Sequence, residues 1–380
     1  MFSIWEHEQF LQYDVVIIGS GITGLSTACS LLERKPQLKV CIVERGQLPS
    51  GASTKNAGFA CIGSFTEKQH DLRLMGEDAF LELIEARIKG LEMLRKRVGD
   101  SNMDFEQHGG YELLLPTMNA VSQDELDAMN AVLYPLFNRD VFSLQQQKIT
   151  EFGFEGTSQL IYNFFEGQIN SGKMMRALMQ RALSLGVQIM TGTEVLQLTD
   201  SSNSVRIVCK SFMDKGTLTL TAEQVAVCTN AFIPALLPEI EVNPGRGQVL
   251  CTSVISSLKF KGVFSIDEGY YYFRNYGNRV LFGGGRNLDF ETEQTTEFGL
   301  NPLIHENLLK YLSEVIIPNE KYTIDYHWSG IMAFHPQKQP LVYKTKPGIW
   351  VAGRLNGMGV AIGSHVAENL AINLIKELAL

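Results

Sequence analysis

Two glycine-rich stretches, one near each end of the chain, carry residues whose types and spacing suit ligand binding. The first runs Asp14-Val-Val-Ile-Ile-Gly19-Ser-Gly21-Ile-Thr-Gly24, and an acid and a base follow at Glu44 and Arg45. Gly19 lets the chain turn sharply, Gly21 has no Cβ to block a pyrophosphate, and Gly24 permits close packing of a helix on a strand. A helix opening at Ile22 and Thr23 offers free N–H groups and the positive end of its dipole to phosphate. Glu44 lies twenty residues beyond Gly24, where a carboxylate accepts hydrogen bonds from ribose hydroxyls. Strand, turn, helix, strand and acid agree, and the chemistry they indicate is dinucleotide binding.

The second stretch is Ile349-Trp-Val-Ala-Gly353-Arg354-Leu-Asn-Gly357-Met358-Gly359-Val360, before a helix with apolar positions at Val366, Leu370 and Leu374. It brings a second helix N-terminus to the same ligand. A nicotinamide site needs only the first turn. A reduced flavin develops negative charge near N1 and the C2 carbonyl, which a helix N-terminus stabilises, so the pair favours FAD over NAD. Between them, the loop Gly51-Ala-Ser53-Thr54-Lys-Asn56-Ala57-Gly58 can lie along a planar ligand and offer backbone N–H groups and short polar side chains.

These groups need a rigid support. Val15 to Ile18 is an apolar, β-branched run suited to a parallel strand buried on both faces. Leu25, Ala28, Cys29 and Leu32 recur at helical spacing until Pro36. Thr66 to Val98 reads as one long amphipathic helix, Tyr111 to Leu115 as a strand, Asn119 to Phe137 as a helix, and the segment from Ser171 as another helix leading to a strand at Val187 to Met190. Strands are expected at Val195 to Leu198, Val205 to Cys209, Leu218 to Leu220 and Gln224 to Cys228, the last presenting Cys228, Thr229 and Asn230 at the cofactor edge. Beyond a change of register at Pro244-Gly-Arg246-Gly-Gln248, short aromatic strands (Val249 to Val254, Tyr270 to Arg274, Arg279 to Phe282) are antiparallel in style. Alternation puts Tyr271 and Phe273 on one face and Tyr270, Tyr272 and Arg274 on the other, one of which should cover a pocket. A helix follows near Ile304 to Val315.

With 380 residues the chain allows two to three domains, and 45% hydrophobic with 19% charged residues is an ordinary globular composition. A net charge of −8 argues against nucleic acid or an anionic membrane as the main partner. The six cysteines show no metal-ligand spacing and fall mostly within apolar patterns, as small buried hydrophobes in a reducing compartment. No run reaches transmembrane length and Met1 to Tyr13 lacks a signal-peptide core, so the cytoplasm is the expected location.

The motifs DVVIIGSGITG, VERG at Glu44, GASTKNAGF, PGRGQ and WSG…HPQKQPLV…IWVAGRLNGMGV together resemble the FAD-dependent oxidoreductases of the D-amino-acid oxidase and sarcosine oxidase type, over most of the chain. The resemblance implies an α/β architecture: a Rossmann-like, glutathione-reductase-type FAD domain (1–95, 155–245 and 320–380) interleaved with an α+β substrate domain bearing an antiparallel sheet (96–154 and 246–319). It implies oxidation of a small amine or amino acid at the carbon next to nitrogen, with oxygen or another acceptor regenerating the flavin. Gly19, Gly21, Ile22, Thr23, Gly24, Glu44 and Arg45 would bind the ADP half; Ser53, Thr54, Asn56, Ala57 and Gly58 would lie along the pyrophosphate and flavin. Val195 would meet adenine through its backbone, Cys228, Thr229 and Asn230 the cofactor edge, and Gly353, Arg354, Gly357, Met358, Gly359 and Val360 the pyrimidine end. Met332 stands where primary amino acid oxidases of the family carry an arginine for the substrate carboxylate, and Leu281 where sarcosine-type members carry a lysine that speeds reaction with oxygen. Lys55, Asn56, Gly330 and Ile331 occupy the places of covalent flavin attachment, so non-covalent FAD is implied, and the γ-glutamylputrescine-oxidase-like group is the most similar branch.

Arg246, Tyr272, Arg274 and His335, together with Arg354, are the polar groups expected to face the pocket. Each of the first four has a structural alternative: a loop pin, aromatic sheet packing, a solvated cation and a turn histidine. Two other functions fit the same fold, an RNA-modification protein and a non-catalytic binding protein such as the Rab GDP-dissociation inhibitors. The first is opposed by the net charge, the second by the intact glycine turns.

Overall fold

The structure is a computed structural model that describes residues 2–201, 204–210 and 216–378. Two eight-stranded sheets carry it. In the first, the order is Leu341–Lys346, Ile349–Gly353, Thr217–Val227, Gln12–Ile18, Val40–Val43 and Gln188–Met190, with Ser204–Lys210 and Val195–Ser201 continuing from Thr217–Val227 as an antiparallel branch. Gln12–Ile18 is its parallel centre, paired with Thr217–Val227 and Val40–Val43. Val15, Val16 and Ile17 are wholly buried. Val15 and Ile17 pack with the helices Ile22–Arg34, Ser171–Ser184, Glu77–Val98 and Gly359–Glu377, while Val16 and Ile18 pack on the opposite face with Ile207, Leu220 and Ile331. Cover on both faces explains the unbroken apolar run, each such side chain contributing roughly 1.5–3 kcal/mol.

The second sheet runs Ile324–Phe334, Asn243–Thr252, Arg279–Gly284, Tyr271–Tyr276, Val263–Ile266, Gly110–Leu114, Gln159–Asn163 and Phe142–Leu144. One face holds Leu250, Phe264, Tyr271, Phe273 and Phe282 against the helix Pro302–Tyr311, with Phe264 and Phe273 stacked at 4.7 Å. The other face carries Val249, Tyr272, Gly283 and Ser265 in paired register, as the alternation predicts.

Several boundaries differ from the sequence expectation. The long helix is two, Phe65–Met75 and Glu77–Val98, because Gly76 adopts φ +79°, which an α-helix cannot contain. The next helix starts at Gln123 instead of Asn119, since Ser122 and Glu125 form a reciprocal capping box. Pro244 to Gln248 lies inside a single strand, Asn243–Thr252, that pairs along its length with Ile324–Phe334. Leu218 to Leu220 and Gln224 to Val227 likewise belong to one strand, held extended by partners on both sides. The helix near Ile304 gives way at Leu312 to a wider π turn through Ile316. Gln159–Asn163 and Ile324–Phe334, expected in the dinucleotide segments, pair in the second sheet. Ile324–Phe334 passes from exposed to buried positions along its length, and only pairing partners assign either strand.

The C-terminal helix Gly359–Glu377 lies across Glu77–Val98 at Gly90, where an added Cβ would come within 2.2 Å of the Ala361 carbonyl oxygen. Gly90→Ala should therefore destabilise the protein by about 1–3 kcal/mol through overpacking, despite alanine's better helix propensity. Thermal unfolding reads this directly; an unchanged or raised melting temperature would refute the close backbone contact.

Candidate active site

A cavity of about 850 Å³ opens between the carboxyl ends of the first sheet's parallel strands and the Tyr272 face of the second. At the first turn Gly19 has φ +101°, and a Cβ on Gly24 would fall 2.0 Å from the Gly19 carbonyl oxygen, so no larger residue allows helix and turn to meet. The helix begins without a side-chain cap of its own; instead Ser53 Oγ accepts from the Ile22 N–H at 3.0 Å, tying the loop after Glu44 to the helix start. Glu44 is buried, its Oε2 accepting from Ser20 N–H (3.0 Å) and Ser20 Oγ (2.8 Å) and its Oε1 from Gly46 N–H (2.9 Å). Three donors orient the carboxylate at the cavity wall. Arg45 stacks on Phe232 at 3.9 Å, and Thr229 presents a buried hydroxyl without a hydrogen-bond partner.

The second turn is strained. Arg354 and Asn356 have φ +60° and +51°, and Asn230 has φ +50°. Asn230 Oδ1 accepts from the Arg354 N–H at 3.0 Å, and Asn356 Oδ1 from the His335 N–H at 2.8 Å. Such left-handed non-glycine residues persist where surrounding contacts over-determine them, commonly at ligand sites. The helix that follows has no side-chain cap, leaving its first N–H groups for the cavity.

Most of the cofactor residues expected from sequence line this cavity: Gly19, Gly21, Ile22, Thr23, Glu44, Arg45, Ser53, Asn56, Ala57, Val195, Cys228, Thr229, Asn230, Gly357, Met358, Gly359 and Val360. Gly24, Thr54, Gly58, Gly353 and Arg354 lie behind the wall. Gly24 and Gly58 serve close packing, Gly58 with φ +80° against the Ile169 carbonyl; Thr54 Oγ1 donates to Pro49 O; Gly353 packs on Asn230; and Arg354 Nε donates to Gln339 O.

The catalytic expectations divide. Arg246 stands off the cavity wall in a bidentate pair with wholly buried Glu293 (2.8 and 2.9 Å). Arg274 is buried behind the wall, donating to the carbonyls of Ala57 (2.5 Å) and Ile169 (2.8 Å), and so pins the loop that ends at Gly58. Both are corrections: neither arginine is free to touch a substrate. Tyr272 and His335 do line the cavity. Tyr272 meets Phe59 edge-on at 5.6 Å, and burial pushes its phenol up to about 12, so it is a neutral hydroxyl. His335 Nδ1 accepts from the Gln337 N–H at 3.2 Å.

Other wall residues were not foreseen. Glu112, Glu166, Glu67, Lys338 and Arg286 all line the cavity. Glu112 interrupts an otherwise apolar strand, which is the one signal the sequence carried. Glu166 Oε1 accepts from Ile62 N–H (3.1 Å), Gly63 N–H (3.2 Å) and Asn163 Nδ2 (2.9 Å). Burial nevertheless pushes its carboxyl up to about 7. Burial and Arg87 push Lys68 down to about 8. Lys338 joins Asp71 (2.6 Å) and Glu67 (3.1 Å), and although burial opposes it, Lys338, Lys68 and Arg87 hold Glu67 down at about 2.

A pH-dependent stability follows at Glu166. Below the ordinary carboxyl value of 4.5 both folded and unfolded chains are protonated there. As pH rises from 4.5 towards 7, the unfolded chain releases a proton that the native protein retains, so this group lowers native stability over that window. Glu166→Gln, which keeps the Oε1 acceptor, should match wild type at the acid end and gain a higher melting temperature progressively up to pH 7. A constant difference across that range would reject the assignment.

The comparisons with known proteins agree with this geometry. A probable oxidoreductase (OrdL) of Haemophilus influenzae is 24% identical over 378 residues, covering 93% of this chain and 82% of that protein. The gamma-glutamylputrescine oxidoreductase of Escherichia coli is 23% identical over 391 residues, covering 96% and 83%. Among solved structures, an L-proline dehydrogenase from P. horikoshii superposes with TM-score 0.76 at 17% identity (97% of this chain, 95% of that one), and a glycine oxidase from Geobacillus kaustophilus with TM-score 0.74 at 20% identity (97% and 96%). These show a shared fold. The family model "FAD dependent oxidoreductase" matches residues 14–371, so the chain belongs to that family, with FAD as its cofactor.

Proposed function

We propose that this enzyme oxidises the C–N bond of a small amine or amino acid, with FAD held non-covalently between the two glycine turns. The observation that carries the reading is the single cavity that joins both turns to the Tyr272 face of the antiparallel sheet. When bound, FAD supplies the acceptor for the two electrons removed from the C–N bond, and water hydrolyses the imine product. Similar proteins named for gamma-glutamylputrescine, glycine and L-proline support an amine or amino acid substrate. The RNA-modifying and non-catalytic readings gain nothing from them.

The residues fit the cofactor. Glu44 suits ribose hydroxyls, Gly19, Gly21 and Thr23 the pyrophosphate, and the orphaned Thr229 hydroxyl a polar atom of the dinucleotide. Asn56 and Ala57 suit the flavin edge, and the N–H groups at Gly359 and Val360 its pyrimidine end. On the opposing wall Tyr272 and Phe59 form an aromatic surface with a neutral hydroxyl, suited to holding a deprotonated amine in place. Leu281, buried between Cys251 and Arg274 in the sheet register, puts no cation there.

Glu44→Ala should weaken FAD retention about ten- to hundredfold, the worth of a charge-assisted hydrogen bond; wild-type flavin content after dialysis would remove the ribose role. Anaerobic mixing of the holoenzyme with a panel of amines and amino acids should bleach the flavin with some of them, and the reduced protein should persist after air is admitted. No bleaching by any of them would sink the C–N reading, and prompt peroxide formation would sink the inference from Leu281.

A further inference from the structure

Glu166 is the acid of the cavity wall with an oxygen to spare. It immediately precedes the short strand Gly167–Gln168, which pairs antiparallel with Phe59–Ala60, Gly167 opposite Ala60. One step further along that ladder Glu166 comes opposite Cys61, whose Sγ is 4.0 Å from Met358 Sδ in the second glycine turn. Phe59, two residues before Cys61, meets Tyr272 edge-on. The ladder thus brings Glu166 beside both the turn proposed for the flavin's pyrimidine end and the aromatic wall proposed for the substrate nitrogen.

Its two oxygens are unlike. Oε1 accepts from Ile62 N–H, Gly63 N–H and Asn163 Nδ2, whereas Oε2 has no hydrogen-bond partner among the described residues. The residue is only 5% exposed, and it lines the cavity. Lys68 and Arg87, the buried cations of this corner, both donate to the Ile62 carbonyl instead. The remaining acids of the wall are committed elsewhere: both oxygens of Glu112 accept from Thr66, Glu67 pairs with Lys338, Glu268 pairs with His70, and Glu44 and Glu194 belong to the nucleotide end. Neutral His335 has no lone pair to offer, since Nδ1 already accepts and Nε2 carries the hydrogen. A carboxylate with one oxygen held by three donors and the other open to the cavity is built to exchange a proton there.

We infer that Glu166 is the proton acceptor for the substrate nitrogen, acting through Oε2. The inference rests on the C–N reading above for its chemistry, while the open carboxylate can be measured separately. An amine reaches the cavity as its ammonium ion and cannot lose a hydride while a proton occupies the nitrogen lone pair. Glu166 takes that proton: the N–H bond breaks, its electron pair stays on nitrogen, and an O–H bond forms at Oε2. The lone pair then makes the C=N bond as the neighbouring C–H hydrogen leaves with its two electrons for bound FAD. Ammonium and carboxylate become amine and carboxylic acid, so the step leaves no separated charge in the cavity. The charged and titratable groups around Glu166 are Glu67, Lys68 and Asp71 of the helix Phe65–Met75, Arg87 of Glu77–Val98, Lys338 beyond Ile324–Phe334, Glu112 of Gly110–Leu114, and Cys61. Lys68 favours the ionised form and Glu67 the protonated one, so the site can hold either.

The test mixes the FAD-loaded enzyme anaerobically with the amine and amino acid panel, L-proline, glycine and 1,4-diaminobutane included, from neutrality up to the titration of the amine itself. Glu166→Gln should bleach about a hundredfold more slowly near neutrality, with flavin content unchanged. That deficit should close as the amine loses its proton in solution, because a neutral amine needs no acceptor. Glu166→Asp should keep part of the rate and the wild-type pH profile. Tetramethylammonium, a cation with no N–H to give, supplies a readout other than turnover, its Kd being read from the flavin spectrum. It should bind about tenfold more weakly to Glu166→Gln, and more weakly to the wild type as pH falls and Glu166 is protonated from solution. A deficit equal at every pH, an undiminished rate in Glu166→Gln, loss of FAD from that variant, or equal tetramethylammonium affinity in the two proteins would each overturn the proposal. Bleaching that ignores Glu166 would leave the C–N reading standing. If nothing in the panel bleaches the flavin, that reading falls and the proton transfer with it, even where tetramethylammonium still detects the open carboxylate.

Discussion

Everything at this site depends on one row of parallel backbone hydrogen bonds. Ile18 is in register with Val43 on one side and Val227 on the other, and Val227 with Val351. The residues just beyond that row are Gly19, Glu44, Cys228 with Thr229, and Gly353, drawn from segments up to 334 residues apart. Parallel strands place all their carboxyl ends on one edge, and such an edge is where open α/β sheets bind ligands. A slip of one residue in any of these strands would exchange the side chains packed on its two covered faces and carry its terminal turn away from the cavity.

The second sheet has a different task, and its two faces divide it. One is filled by stacked aromatics that make it rigid. The other closes the cavity, and Arg274 ties it to the loops beside the cofactor edge. Arg274 reaches from the sheet to the Ala57 and Ile169 carbonyls, and Arg246 pairs with buried Glu293. A buried ion pair gains little net stability but is costly to break from one side, which makes Arg246–Glu293 better suited to fixing geometry than to adding stability. Beside them Glu67, Glu166 and Lys338 on the cavity wall and buried Lys68 behind it form a cluster of acids and bases whose proton affinities move in opposite directions according to burial and neighbouring charge.

Much of the nucleotide half was legible from residues alone, because local backbone needs dictate its glycines. A Cβ on Gly24 meets its own turn, and Gly19 requires a positive φ; both constraints are satisfied within a few residues of chain. Gly76 shows the limit: helical spacing continued through it, and nothing in the apolar pattern marked the φ that divides the helix. Strand membership was less legible still. Gln159–Asn163 and Ile324–Phe334 mix polar and small residues with apolar ones, and no such pattern names the sheet a strand will join.

The sequence by itself determined the two turns, the acid that follows the first, and the alternation that points Tyr272 one way and Phe273 the other, since each is set by neighbours along the chain. Tertiary structure alone decided which charges are spent and which are free. Arg246 and Arg286 are equally plausible ligand-binding arginines as letters; Glu293 folds against the first and two phenyl rings against the second. A cation's role depends on whether an opposite charge arrives within about 3 Å from another part of the chain, and that distance exists only after the sheets have paired.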